Sequence, residues 1–206
     1  MSREGLNAFY PIVPDAQWVR RLVPLGIRTV QLRLKNAEAV RIRREIGESI
    51  EVCYRHGCQL IVNDHWREAL ALGADYIHLG QEDLAAADLP TIQARGMRLG
   101  ISTHSPEELA IALAAGPNYV ALGPIFETKL KAMAWGPQGL ARVAEWKRRI
   151  GALPLVGIGG ITPERADAVL AAGADSVAVI TDIFSHAKPE ARVAQWLIWA
   201  ERAAAR

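Results

Sequence analysis

Apolar residues in this chain gather into short runs, set between longer stretches in which they recur every three to four positions. One phrase repeats: a helical stretch, a glycine, then an apolar run that ends in polar residues or glycine. ALALGADYIHLG, ALAAGPNYVALG and VLAAGADSVAVI are its clearest copies, with weaker ones around Gly26, Gly57, Gly96 and Gly151. Glycine after a helix adopts the left-handed conformation that turns the chain into the next strand without a steric penalty. The runs predict strands at residues 9–13, 29–34, 59–63, 76–79, 98–102, 119–122, 155–158 and 176–180. Helix starts are predicted at Ser105-Pro106 with Glu108 and at Thr162-Pro163 with Glu164, each reading as a capping box with proline in the first turn.

Eight strands alternating with helices predict an α/β fold, a single-domain (β/α)8 TIM barrel of minimal size spanning residues 1–206. An open doubly wound sheet is the other way to arrange such units. GIGGIT at 157–162 argues against it, since it lacks the third glycine of the dinucleotide fingerprint and comes late in the chain.

The segment TVQLRLKN at 29–36 sits awkwardly in this scheme. Val30, Leu32 and Leu34 alternate with Gln31, Arg33 and Lys35, the pattern of a strand with one wet face, yet barrel strands are covered on both sides. If the apolar set meets the helices, the polar set faces the barrel interior. Two buried cations without partners are costly, so either internal carboxylates pair with them or they await an anion.

Active sites of such barrels lie at the C-terminal strand ends, which makes the polar residues there the candidates. Asn63-Asp64 follows the third strand and Gly80-Gln81-Glu82-Asp83 the fourth. Magnesium takes one or two carboxylates and completes its shell with water and substrate phosphate, so Asp64 and Asp83 are a candidate pair; helix N-capping is the other use of aspartate at such a junction. Ser102-Thr103-His104 ends the fifth strand. The sixth runs into GPIFETKLKAMAWGPQGL, a long loop with Lys129 and Lys131 that is a candidate lid. Gly157-Ile158-Gly159-Gly160 and Ile180-Thr181-Asp182 end the last two strands, where backbone N–H groups commonly hold a phosphate. One phosphate here and a second, more highly charged anion with magnesium across strands two to four suggest a transferase acting on two phosphorylated ligands.

Composition narrows the partners rather than the chemistry. A net charge of +2 gives no pointer to nucleic acid, and the basic runs at Arg41, Arg43, Arg44 and at Lys147, Arg148, Arg149 fall on helical faces. No secretory leader or membrane-length apolar run is read, so the chain is expected to be cytoplasmic. Cys53 and Cys58 flank His56 in CYRHGC, but no second ligand cluster follows, and they are read as buried or reduced thiols. Oligomeric state is not legible; a homo-oligomer is compatible with the sequence.

Taken in chain order, QLRLK (31–35), VND (62–64), GADYIHLGQEDL (73–84), GISTH (100–104), GPIFET…K (123–131), GIGGI and AGADSVAVI resemble thiamine phosphate synthase over nearly the whole length. The resemblance implies an enzyme that joins hydroxymethylpyrimidine pyrophosphate to a thiazole phosphate, releasing pyrophosphate. It implies Gln31 against the pyrimidine, and Arg33, Lys35, Asn63, Ser102 and Lys131 around the pyrophosphate, with Arg33, Ser102 and Lys131 acting on the leaving group. Asp64 and Asp83 would bind Mg2+; Thr128, Gly160, Ile180 and Thr181 would surround the thiazole phosphate, and His78 would line the pocket. Glu127, Leu130, Thr181 and Asp182 depart from the family pattern, and Asp182 is expected to point away from the phosphate or to pair with a cation. A related thiazole tautomerase is the nearest rival, but it resembles this chain less: Pro124 stands where it carries a histidine, and the aspartates it lacks are present. A non-catalytic phosphate-binding barrel would be expected to have lost Lys131 or an aspartate.

Overall fold

The computed structural model describes residues 6–128 and 135–205. Its strands are β1 (Phe9–Val13), β2 (Thr29–Leu32), β3 (Gln59–Asn63), β4 (Tyr76–Leu79), β5 (Arg98–Thr103), β6 (Tyr119–Leu122), β7 (Leu155–Ile158) and β8 (Ser176–Val179). Each pairs in parallel with the next, and β8 pairs with β1, closing the barrel. The helices are α1 (Ala16–Leu22), α2 (Ala39–His56), α3 (Trp66–Ala71), α4 (Gln81–Ala85), α5 (Leu89–Ala94), α6 (Pro106–Ala114), α7 (Gly139–Ile150), α8 (Pro163–Ala171), α9 (Thr181–Phe184) and α10 (Pro189–Ala204). None of them is long and apolar enough to cross a membrane.

Strand alternation sorts the core into two layers. Outward residues, Val30, Leu32 and Leu34 among them, pack with Trp146, Trp196 and Trp199 of the helices. Inward residues Tyr10, Ile12, Ile61, Tyr76, Tyr119, Ala121, Val156 and Ala178 fill the barrel. The buried indoles each find an acceptor: Trp146 donates to Thr103 Oγ1 at 2.9 Å, Trp196 to Asp182 Oδ2 at 2.8 Å and Trp199 to Asp167 Oδ1 at 2.7 Å. An indole N–H left bare in such a core would cost about 1–3 kcal/mol.

The interior is tightest where β5 meets β6. Gly100 lies opposite Tyr119, and a Cβ at Gly100 would fall 2.1 Å from the phenol ring. Glycine there is the room that the ring occupies.

Three local expectations change in detail. The Ser105 cap holds, accepting from the Glu108 N–H at 3.3 Å, but the Glu108 carboxylate reaches past the cap to the His104 N–H at 2.7 Å. Thr162 makes no side-chain cap; its hydroxyl bonds the Glu164 carboxylate, which lies at about 2, held low by that bond and by Arg192. The CYRHGC segment turns out to be a helix end. Gly57, at φ 61°, donates to Tyr54 O and Cys58 N–H returns to Cys53 O at 2.8 Å, the Schellman closure whose apolar pair here is Cys53 and Cys58. Both are buried thiols outside any disulfide, and His56 faces solvent.

Candidate active site at the barrel mouth

The polar row of β2 divides at the strand end. Gln31 is buried inside the barrel, whereas Arg33 and Lys35 are exposed beyond Leu32. Arg33 N–H still bonds Val13 O at 2.8 Å, continuing the pairing with β1 by one residue before the chain leaves. The expectation of an interior row is therefore corrected for both cations. Their desolvation would be costly, and the strand ends early enough to leave them at the rim.

Lys35 reaches across to β3 and donates to Asp64 Oδ2 at 2.7 Å. Asp64 adopts a left-handed backbone conformation, φ 66°, uncommon outside glycine and tolerated by a short polar side chain. Its N–H bonds His78 O on β4 at 2.9 Å, so the turn is tied to the strand that leads into α4. Asp83, on α4, comes within hydrogen-bonding reach of the Asp64 carboxyl. Burial first, then the charge and hydrogen bond of Asp64, push Asp83 above the usual carboxylate range, against the pull of Lys35. Neither aspartate caps a helix: the N-cap positions of α3 and α4 are His65 and Gly80.

Two facing carboxylates that repel one another suit a divalent cation better than they suit each other. Among the described residues no group of three or more His, Cys, Asp or Glu could hold a metal. A cation bound here would complete its shell from water and phosphate, which is how magnesium is bound beside phosphorylated substrates.

Deeper in, His78 connects the mouth to the barrel floor. Its Nε2 lies 2.8 Å from Ser102 Oγ and its Nδ1 2.7 Å from Tyr119 Oη. Burial pulls His78 down to about 4, with Arg33 adding to the shift and Asp64 opposing it. Tyr119 also hydrogen-bonds Tyr10 and Gln31, and burial raises it well above the ordinary phenol range. Asn63 is buried beside His78 in register, and Gln81 donates to Ser102 O at 2.6 Å. Gln31, Arg33, Lys35, Asn63, Asp64, His78, Asp83 and Ser102 thus converge on strand ends β2 to β5.

The other candidates lie on the opposite side of the mouth. Gly159 and Gly160 have φ 98° and 65°, and a Cβ on either would strike the segment that follows β6: Pro124 Cβ at 2.6 Å and Glu127 O at 2.4 Å. That segment runs beside β7, with Ile125 N–H on Ile158 O and Phe126 N–H on Gly159 O. Packing alone therefore accounts for the glycine pair, so the pair by itself is a weaker sign of a phosphate than its sequence suggested. Ile180 and Thr181 open α9, half-buried next to it, and Thr128 is half-buried at the edge of the described segment. Lys129, Leu130 and Lys131 lie outside the described residues, and with them the middle of the candidate lid.

Asp182 pairs with a cation, one of the two outcomes expected for it. Arg192 binds it at both oxygens, 2.8 and 2.9 Å, and Trp196 adds a third donor. Both partners of the ion pair are nearly buried, their side chains 13% and 12% exposed. Replacing Arg192 by alanine leaves a carboxylate with one neutral donor, and a stability loss of about 2 kcal/mol is expected in urea titration. A change below about 0.5 kcal/mol would show that solvent, not Arg192, neutralises Asp182.

Sequence reasoning missed Tyr10, Tyr119 and Arg192, and placed Gln81 at its strand end without giving it a role. An inward tyrosine opposite a strand glycine was a usable signal for Tyr119; Arg192 lies on α10, 10 positions from Asp182 and 28 from Glu164, beyond any local repeat. A separate cleft of about 400 Å3 lies between α1 and α2, lined by Asp15, Gln17, Arg20, Arg41, Arg44, Glu45 and Glu48. Its three arginines face three carboxylates, leaving no net charge for an anion.

Comparison with known proteins agrees with the fold. The family model described as thiamine monophosphate synthase matches residues 9–183. A thiamine-phosphate synthase of Rhizobium etli is 57% identical over 192 residues, covering 93% of this chain and 94% of its own. One from Neisseria meningitidis serogroup A is 48% identical over 185 residues, 90% of each chain. The solved thiamine phosphate pyrophosphorylase of Pyrococcus furiosus superposes with a TM-score of 0.81 at 25% identity, covering 94% of this chain and 95% of that one.

Proposed function

Because the chain belongs to the thiamine monophosphate synthase family, we propose that its barrel mouth holds a pyrimidine pyrophosphate over β2 to β5 and a thiazole phosphate over β7 and β8. The chain is a transferase that makes thiamine phosphate. The observation that carries the placement is the row of Arg33, Lys35, the Asp64–Asp83 pair and Ser102 on one side of the mouth, a set suited to a charged leaving group and its metal.

In this reading Asp64 and Asp83 would hold Mg2+, which would supply positive charge to favour departure of pyrophosphate. Arg33, Lys35 and Ser102 supply further charge and a hydrogen bond to the same group, with Asn63 beside them. Such donors, fixed before the bond breaks, favour charge separation without reorganising at the moment of reaction. Lys131 is assigned to the leaving group by the family resemblance. The C–O bond to pyrophosphate breaks with both electrons leaving on oxygen, and the electron-rich aminopyrimidine carries the positive charge left behind. The thiazole nitrogen then supplies the electron pair of the new C–N bond. No enzymic nucleophile takes part; the protein positions the two ligands and excludes water.

Gln31, buried below the rim, is placed for the pyrimidine. Thr128, Gly160, Ile180 and Thr181 are placed for the thiazole phosphate, and the Asp182–Arg192 pair keeps a carboxylate from facing it. Leu130 removes one hydroxyl that the family usually supplies. The small-molecule substrates need no nucleic acid or membrane partner.

Mixing both substrates with purified protein and magnesium is expected to yield thiamine phosphate and pyrophosphate in equal amounts, and chelation is expected to stop it. Turnover that persists after chelation would remove the metal from the proposal. Well-folded protein that binds phosphates and forms neither product would favour a barrel that has kept the ligands and lost the chemistry.

A further inference from the structure

Two helices start directly after the strand ends assigned to the thiazole phosphate, and one arginine of a third helix holds both. α8 opens beyond Gly159-Gly160 with Glu164 in its first turn, and α9 opens at Thr181 with Asp182 in its own. Arg192, on α10, donates from Nε and Nη2 to the two oxygens of Asp182 at 2.8 and 2.9 Å. From Nη1 and Nη2 it donates to the two oxygens of Glu164 at 3.3 and 3.2 Å, and Nη1 also reaches Gln195 Oε1. A guanidinium carries five N–H groups, and here all five have acceptors within the protein.

That arrangement rules out one role for Arg192 and leaves another. A cation beside a phosphate site is the first candidate for a phosphate ligand, yet Arg192 has no N–H left to offer, and its side chain is only 13% exposed. What it holds is geometry. α9 is a single turn with no side-chain cap, and a helix that short does not keep its place by itself. It is fixed by what it touches: Ile183 in the core, Phe184 edge-on to Trp18 at 4.7 Å, and Asp182 in the fork of Arg192, with the Trp196 indole as a further donor. Paired N–H···O bonds to a carboxylate set direction as well as distance, so Asp182 brings its neighbour Thr181 into a defined position. On the other side, Arg165 follows Glu164 in the first turn of α8 and donates from Nη1 to Gly160 O at 3.2 Å, which ties the glycine turn to the same helix end.

We infer that Arg192 is a positioning residue for the thiazole phosphate, a clamp across α8 and α9 that keeps the Gly160 turn and Thr181 at the spacing the phosphate requires without touching the ligand. The inference rests on the reading that this phosphate lies over β7 and β8. It gives Asp182 a use at a place where a carboxylate facing the ligand would repel it: the side chain is one jaw of the clamp.

Arg192→Lys keeps the charge and replaces a planar fork of five N–H groups by three on a flexible stem. With magnesium and both substrates, it is expected to raise KM for the thiazole phosphate roughly tenfold, with kcat and KM for the pyrimidine pyrophosphate within about twofold of wild type. Asp182→Asn keeps the shape of that jaw and withdraws its charge; it is expected to move the same KM about threefold, and it carries the test if the lysine variant fails to fold. A general loss of packing would lower kcat through the fraction of active protein and leave both KM values alike, and that result would overturn the clamp. Wild-type kinetics in Arg192→Lys would overturn it too, because charge alone would then suffice. Thr181→Asp tests the underlying placement separately, since a carboxylate set beside the phosphate is expected to raise the same KM at least about thirtyfold. An unchanged KM in that variant would overturn the placement of the phosphate, whereas a raised one beside unaffected Arg192→Lys and Asp182→Asn would overturn the clamp alone.

Discussion

Asp64→Asn and Asp83→Asn are each expected to reduce magnesium-dependent turnover by at least about a thousandfold, roughly 4 kcal/mol of barrier, while the barrel stays folded. The two carboxyls sit within hydrogen-bonding reach and Asp83 is pushed above its usual range by burial and by Asp64. Like charges held together are a cost in the ligand-free protein. Removing one should leave stability unchanged or raise it by up to about 1 kcal/mol, the signature of a site kept for function. The Lys35–Asp64 bridge does not reverse that sign, because the lysine side chain is half exposed and such pairs contribute little. Asparagine is chosen over alanine at position 64 because the backbone there is left-handed, which asparagine tolerates. Turnover against magnesium concentration and urea midpoints for the two variants decide the matter. Full magnesium-dependent activity in the double variant would remove the pair from the metal site; a large loss of stability would make the aspartates structural instead.

Gly100→Ala is expected to destabilise the protein by about 3 kcal/mol, the upper end for overpacking a core, because the added methyl meets the Tyr119 ring at 2.1 Å. The ring has no free direction in which to move. It is fully buried, stacks on His78 at 5.5 Å, meets Tyr76 edge-on at 5.7 Å and is bonded to Tyr10 and Gln31. Turnover should fall further than stability alone explains, since displacing Tyr119 also displaces the partner of His78 Nδ1. Combining Gly100→Ala with Tyr119→Leu should recover part of the stability and none of the turnover, a coupling that two independent sites would not show. A loss below about 1 kcal/mol for the single variant would mean that the strands part to admit the methyl.

Most of the barrel was legible because its strands are covered on both faces and its helices end in glycine. Five of the eight predicted strands, at 9–13, 59–63, 76–79, 119–122 and 155–158, have the observed bounds. The others differ at their C-terminal ends. β5 runs one residue further, with Thr103 buried and paired with Leu122, whereas β2 and β8 stop short, at Leu32 and Val179, where the chain leaves the ladder. Arg33 shows how this misleads: the two-residue period continues through Lys35, but hydrogen bonding to β1 stops after Arg33, and charge goes to the rim.

The candidate site was legible as a set of polar residues at strand ends, and its chemistry followed from matching several short motifs together. The accompanying network was not. Tyr10 and Tyr119 look like core aromatics in the chain, and nothing there joins Tyr119 to His78 or His78 to Ser102. CYRHGC was legible as a pair of buried thiols, which it is, but not as the closure of a helix end.

By itself, the order of apolar runs, glycines and caps pointed to a closed eightfold βα barrel, because eight successive βα units without a dinucleotide fingerprint favour closure over an open doubly wound sheet. It also determined which end of the barrel is polar. Only the tertiary structure decided which polar groups meet: Lys35 with Asp64, Asp64 with Asp83, Asp182 with Arg192, and Tyr119 with His78. The last two pairs are separated by 10 and 41 positions and the first by 29, distances over which no local periodicity acts. Partnership there is set by strand register and by the requirement that every buried hydrogen find an acceptor, and both come into being only when the barrel closes.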